Sequence, residues 1–288
     1  MASELIDTRK ITESPAVDVA ALTPTPTPAP EPTAAPVAVQ LSGVSKSFGR
    51  EAGPVLDDIN LQVAAGELLC ILGASGCGKS TLLNLISGLD KPTAGRIELA
   101  DGHAALMFQE SALFPWLTAA GNVELALRLR KSPTKLSKAD RRAEARRLLS
   151  LVRLEGAADK RVHELSGGMR QRVALARALA QNSAVLLMDE PFAALDAITR
   201  DVLHEELIGL WQRSAESGRP LAIVFVTHNV REAARLGQRV VLLSSRPGRV
   251  AREWAVDFPQ PRRIEDAQVA NLAAEITAEL RKEISRHA

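Results

Sequence analysis

The segment Gly73-Ala74-Ser75-Gly76-Cys77-Gly78-Lys79-Ser80-Thr81 has the spacing G-x-x-x-x-G-K-[ST] and follows directly on the apolar run Leu68 to Leu72. Strand, glycine turn and helix start in that order suit a loop that wraps phosphate groups. The glycines let successive N–H groups and the helix N-terminus point at one anion, where the helix dipole favours negative charge. Lys79 would neutralise the terminal phosphate oxygens, and Ser80 would ligate Mg²⁺. A glycine turn without a ligand explains neither the lysine nor the serine. A second apolar run, Val185 to Met188, ends in Asp189 and Glu190. This puts a carboxylate at the carboxyl end of a buried strand, where open α/β sheets bind ligands. Asp189 is the expected Mg²⁺ partner. Glu190, pointing elsewhere by the alternation of extended chain, is the expected general base or water-polarising group. Alone, such an acidic pair could be a solvated strand end; behind a phosphate loop it reads as functional.

A second glycine turn, Leu165-Ser166-Gly167-Gly168-Met169-Arg170-Gln171-Arg172, opens a helix whose apolar stripe is Val173, Ala176 and Leu179 or Ala180, with Ser166 as N-cap. It is again an anion-binding arrangement, but no lysine accompanies it, and the phosphate loop already holds the ligand from its own side. The economical arrangement is two copies head to tail, the Ser166 turn of one closing over the phosphate held by Lys79 of the other.

Around these motifs the chain alternates short apolar runs with longer helical patterns. Leu68 to Leu72, Val185 to Met188, Ala222 to Val226 and Val240 to Leu243 read as central strands buried on both faces of a parallel sheet. Leu82, Leu85, Ile86 and Leu89 predict the buried stripe of the helix after the phosphate loop. Between Leu136 and Leu154 a helix is predicted, capped by Ser137 and Asp140, with Ala143, Leu148, Leu149 and Val152 on one face and Arg141, Arg142, Arg146 and Arg147 on its solvated side. The fold class is α/β.

The 288 residues carry 36 Lys and Arg against 34 Asp and Glu, a net charge of +2, which gives no concentrated positive field for a nucleic acid. Two cysteines, Cys70 and Cys77, exclude a disulfide framework. Apolar runs stop at five or six residues, short of the ~20 a membrane helix needs. Residues 1–36 hold seven of the 16 prolines and read as a flexible tail; Glu4 and Asp7 argue against an export signal. His103, His163, His204 and His287 show no metal-ligand spacing.

In combination and order these motifs resemble the nucleotide-binding subunits of ATP-binding cassette (ABC) transporters, over roughly Val37 to Arg252. Gly73 to Thr81 matches the Walker A loop, Val185 to Glu190 the Walker B strand and Ser166 to Gln171 the family signature. The resemblance implies a P-loop NTPase core with a mostly parallel sheet, an antiparallel β subdomain and a helical subdomain at about 110–180. Residues 253–288 would form a C-terminal helical extension. It implies ATP and Mg²⁺ as ligands, with Gln109 as the Q-loop residue touching the metal, Asp196 as the D-loop contact across the dimer and His228 as the switch histidine at the γ-phosphate. Phe48 lies where the family stacks an aromatic on adenine, the alternative being a core residue; the chain has no Tyr. Ala193 replaces a glycine common in relatives. Cys77, at a helix N-terminus, is expected to be a reactive thiol protected by ATP.

Leu113-Phe114-Pro115-Trp116-Leu117 would suit a groove for a helix of a membrane partner, core packing being the rival reading. Together with Ser244 to Arg249 it resembles the subfamily that imports nitrate, taurine and aliphatic sulfonates, the sulfonate members most of all. The implied assembly is a homodimer on two transmembrane permease subunits at the cytoplasmic face of the inner membrane, served indirectly by a periplasmic solute-binding protein. The rivals are a soluble cassette ATPase acting on ribosome or DNA, and a catalytically dead interaction module. The first is disfavoured by the single cassette, the second by intact Lys79 and Glu190. The ~36 residues after Arg252 are too few for the regulatory barrel of sugar-type importers.

Overall fold

The computed structural model describes residues 36–49, 53–130 and 135–286. The expected proline-rich tail, bar Pro36, and His287 lie outside these. Each continuous apolar run became a central strand. β3 (Leu68–Leu72), β6 (Val185–Asp189), β7 (Ala222–Val226) and β8 (Arg239–Leu243) lie side by side in the order β6-β7-β3-β8. β5 (Ala105–Met107) extends the sheet in parallel beside β6, and β9 (Val250–Ala255) closes it antiparallel to β8. A smaller antiparallel sheet, in the order β2-β1-β4, is made by β1 (Val37–Lys46), β2 (Leu56–Ala64) and β4 (Ala94–Leu99).

Alternate residues of β3 feed different cores. Leu68, Cys70 and Leu72 join the helical side, and Leu69 and Ile71 join the side of the small sheet, so this strand is fully buried and its carboxyl end is rigidly placed. α1 (Lys79–Ser87) starts seven residues beyond β3 and buries Leu82, Leu83, Leu85 and Ile86. Leu89 does not join that stripe: Gly88, at φ 76°, has already ended the helix, and Leu89 is exposed.

α2 (Ala119–Leu129), α3 (Lys138–Leu151) and α4 (Gly167–Leu179) pack on one another beside the main sheet. Ser137 caps α3 as expected, accepting from Asp140 N and donating to its carboxylate. The buried face uses Ala145 with Leu148, Leu149 and Val152, and Ala143 is exposed; the i, i+3, i+4, i+7 series runs from 145. α5 (Ala197–Glu216), α6 (Val230–Leu236) and α7 (Ala267–Ser285) complete the chain. α7 lays Val269, Ala273 and Ile276 against α6 and its surroundings. No helix among the described residues is long and apolar enough to cross a membrane.

Candidate functional site

A cleft of about 940 Å³ opens at the carboxyl ends of β3, β6 and β7. Phe48, Ser75, Gly76, Gly78, Lys79, Ser80, Thr81, Gln109, Glu190 and His228 line it, with Gly53, Pro54, Val55, Arg246 and Pro247. Its floor is the loop between β3 and α1. Gly76 and Gly78 stand at φ 75° and 101°, a region costly for side-chain-bearing residues, and a Cβ on Gly78 would fall 2.6 Å from Leu56 Cδ2. α1 begins at Gly78 with no side-chain cap, so its first N–H groups receive no acceptor from a capping side chain.

Lys79 is buried and folds back along the loop, donating to Gly73 O at 2.9 Å and Ala74 O at 3.1 Å. An ammonium has three donors, and the third suits a phosphate oxygen. The Asp189 carboxyl at the tip of β6 is raised above the usual range, chiefly by burial, although a hydrogen bond from Ser80 opposes this. Ser80, Asp189 and Gln109 offer oxygen donors only, the set a hard divalent cation takes. No cluster of three His, Cys, Asp or Glu fit to hold a metal by itself occurs among the described residues. A cation here would therefore need phosphate and water to complete its shell, as Mg²⁺ on a nucleotide does.

Glu190 has φ 42°, the backbone N–H anchored on Val226 O at 3.0 Å, and its Oε2 stands 2.8 Å from His228 Nδ1. The left-handed turn takes Glu190 out of the strand's direction, which the alternation of β6 alone foresees only in part. Ala193 shows no such strain, so its replacement of glycine costs the backbone nothing. Phe48 is 53% exposed, with Lys46 Nζ 4.9 Å from the ring centroid. The core alternative for Phe48 is thereby excluded. Trp116 is likewise exposed, at 67%, and paired with Phe114 at 5.4 Å between ring centroids, while Leu113 of the same segment packs on the core. Their turn is pinned by buried Asn122, which accepts from Phe114 N at 2.8 Å.

Cys77 corrects the reactive-thiol expectation. The residue is 1% exposed, and burial pushes its thiol up, Lys79 only partly opposing. Desolvation of the thiolate outweighs the helix N-terminus here. The Sγ points inward, beside Gly73, where a Cβ would fall 2.5 Å from it.

Ser166, Gly167, Gly168 and Asp196 are not among the residues lining the cleft. Ser166 caps α4, accepting from Met169 N, and Asp196 caps α5, accepting from Thr199 N at 2.9 Å and its hydroxyl at 2.7 Å. These bonds hold the exposed Asp196 carboxyl below its ordinary range. A Cβ on Gly168 would fall 2.7 Å from Thr199 Cγ2, so the two caps press together and only glycine fits without a shift. Two further groups went unread in the sequence. Gln171 Nε2 donates to Gln109 O at 2.9 Å, and Arg177 donates to Ser111 O and Ala112 O at 2.8 and 2.5 Å, so α4 holds the Gln109 segment. Contacts separated by more than sixty residues leave no local signal.

A parallel sheet with a lysine-bearing glycine loop at one strand end and a carboxylate at the tip of another defines a P-loop nucleotide-binding protein. Residues 56–193 match the ABC transporter family model. The chain is 44% identical over 228 residues to the taurine import ATP-binding protein of Pseudomonas syringae pv. tomato, covering 76% of this chain and 84% of that protein. It is 44% identical over 231 residues to the nitrate import ATP-binding protein of Synechocystis sp., covering 77% and 83%. A solved dimeric ATP-binding cassette in a post-hydrolysis state, bound to ADP and Pi, matches at 36% identity with a TM-score of 0.66, covering 77% of this chain and all of that one. The chain belongs to the ABC transporter family and is an ATP-binding domain of that family.

Proposed function

We propose that this chain is the ATP-hydrolysing subunit of an importer of small sulfur- or nitrogen-containing anions, aliphatic sulfonates in the first place. The relatives named for taurine and nitrate import support the class of cargo. The preference for sulfonates rests on the resemblance of Phe114 to Leu117 and Ser244 to Arg249. Taurine and nitrate are the alternatives.

The observation that carries hydrolysis is the 2.8 Å contact of Glu190 with His228 at the mouth of the cleft that Lys79 floors. Lys79 and the α1 N-terminus bind the phosphates, and Phe48 stacks on the base. Ser80, Gln109 and Asp189 would hold Mg²⁺, which would supply neutralisation of phosphate charge. Glu190 draws the proton from the attacking water while His228 holds the carboxylate in place and contacts the γ-phosphate. Ser166, Gly167, Gly168 and Asp196 act on the nucleotide of a second copy, which the family's dimeric cassette supports. Ala74, Cys77 and Thr81 contribute through the loop backbone and the start of α1.

Residues 37–252 would form the nucleotide-binding domain, with the helical subdomain at about 110–180 and the extension 253–288 beside it. Phe108, Phe114, Leu125 and Leu129 line a groove of about 550 Å³ that would receive a helix of one permease subunit, the second copy's groove serving the other. This makes the chain a peripheral protein of the cytoplasmic face of the inner membrane, with a periplasmic solute-binding protein delivering cargo.

Glu190→Gln tests the hydrolytic reading. Turnover should fall by about 10²–10⁴-fold while ATP affinity is kept, and an ATP-bound dimer should accumulate on gel filtration. Normal turnover would refute the assignment. Stimulation of the assembled transporter by sulfonate, taurine or nitrate decides the cargo.

A further inference from the structure

Away from the cleft, three polar side chains are buried together. His204 on α5 is 1% exposed, and Thr227 and Glu232 are likewise buried. His204 Nε2 lies 2.6 Å from Glu232 Oε1, and the Thr227 hydroxyl donates to Glu232 Oε2. His204 Nδ1 is buried without a hydrogen-bond partner among the described residues. A bare ring lone pair costs less there than an orphaned N–H, so the proton belongs on Nε2, which donates to the carboxylate. Both oxygens of Glu232 are then satisfied from opposite sides.

The cluster touches the segments that carry Glu190 and His228. The Thr227 hydroxyl oxygen accepts from Asn229 N at 3.0 Å, and Thr227 N donates to Ile71 O at 3.1 Å, so both neighbours of His228 are fixed. Asn229 caps α6, accepting from Arg231 N and Glu232 N. The His204 ring meets Phe192 edge-on at 5.6 Å, two residues beyond Glu190, and Phe192 packs on Phe225 of β7. α5 itself is opened by Asp196. His228, in contrast, is largely exposed and has Glu190 as its hydrogen-bonded side-chain partner. An exposed side chain takes its direction from its backbone, and here that backbone is set from below.

We propose that His204, acting through Glu232 and Thr227, is a positioning residue that fixes His228 against Glu190 and ties this pair to the helix that Asp196 opens. Removing the His204 donor leaves Glu232 Oε1 unpaired, frees the Thr227 hydroxyl to turn toward the carboxylate's new position, and lets the backbone of 227–229 shift. Nucleotide binding, carried by Lys79 and the glycine loop, is untouched. The inference rests on the hydrolytic reading of Glu190 and His228.

The test uses the full-length chain with MgATP, comparing wild type, His204→Leu, His204→Gln, His228→Ala and the double variant His204→Leu/His228→Ala. His204→Leu should lower kcat by about ten-fold or more with KM and ATP affinity within about two-fold, and His204→Gln, which keeps a donor, should recover most of the loss. The double variant should be no slower than His228→Ala, because both changes act on one path. Unchanged kcat per folded molecule, or losses that multiply in the double variant, overturns the inference. If His228→Ala cripples turnover and His204→Leu does not, this inference alone falls; if His228→Ala turns over normally, the hydrolytic reading falls and takes this one with it. Should His204→Leu fail to fold, Thr227→Val breaks the same path at its other end and is held to the same kcat, KM and double-variant criteria.

Discussion

The two glycine turns of this chain have similar composition and opposite completeness. At Gly73 to Thr81 the surrounding elements converge: strand ends supply Asp189, Glu190 and His228, the small sheet supplies Phe48, and the segment after β5 supplies Gln109. At Ser166 to Gly168 the chain brings another helix cap, that of Asp196, and the two caps face solvent. Backbone donors attract phosphate wherever they are gathered, but charge neutralisation, metal binding and water activation need side chains from several elements. The first turn has them within its own fold. The second gathers none of these groups, which is what the proposed pairing with a second copy requires.

That contrast can be broken by mixing. Lys79→Ala and Ser166→Phe chains should each be inactive alone, by about 10³-fold for the lysine change, and an equal mixture should regain turnover. The mixed dimer keeps one site with an intact lysine loop facing an intact serine turn. Absence of any recovery, with both variants folded and able to pair, would mean that the second turn does not complete the first. Phe48→Ala sharpens the first region: loss of base stacking should weaken ATP binding by about ten-fold in a calorimetric titration and leave kcat at saturating ATP nearly unchanged.

Asp189 provides a smaller and differently signed effect. Burial raises its carboxyl in the folded chain, so the native state holds the proton more tightly than the unfolded chain does. Its contribution to stability is therefore favourable as pH falls through the raised value and unfavourable above it. At neutral pH the nucleotide-free Asp189→Asn chain should melt higher by about 2 °C, the difference shrinking as the pH is lowered toward the carboxylate range. The same variant should lose the extra stabilisation that Mg²⁺ adds to ATP. A lower melting point at neutral pH would contradict the burial argument. The smallest effect is expected at Cys77: a neutral alkylating reagent should leave the folded chain unlabelled over the time in which it modifies the denatured chain, with or without ATP. Rapid labelling would restore the reactive-thiol reading that the fold overturned.

The strands and the phosphate loop were readable because their signals are local. A short continuous apolar run such as Val185 to Met188, ended by Pro191, suits a central strand, and glycine, lysine and serine at this spacing directly after a strand suit a phosphate loop. Helix faces are legible to within a residue or two: the buried face of α3 uses Ala145 where the pattern points to Ala143, and Gly88 ends α1 before Leu89. His204 has no metal-ligand spacing, and nothing local in the sequence marks its role. Its partners lie at 227 and 232, in an element that packs against α5 only after the sheet has formed.

What the amino-acid order determined alone is the chemistry available: an anion loop with its lysine, an acidic strand end, a second glycine turn that has no lysine, and an apolar pattern that makes an α/β sheet. The tertiary structure decided the rest, because desolvation and side-chain direction are properties of what packs around a residue. It buried Cys77, which pushes its thiol up, and it exposed Phe48 and Trp116. It bent Glu190 into a left-handed turn to meet His228, and buried the Glu232 carboxylate beneath that histidine.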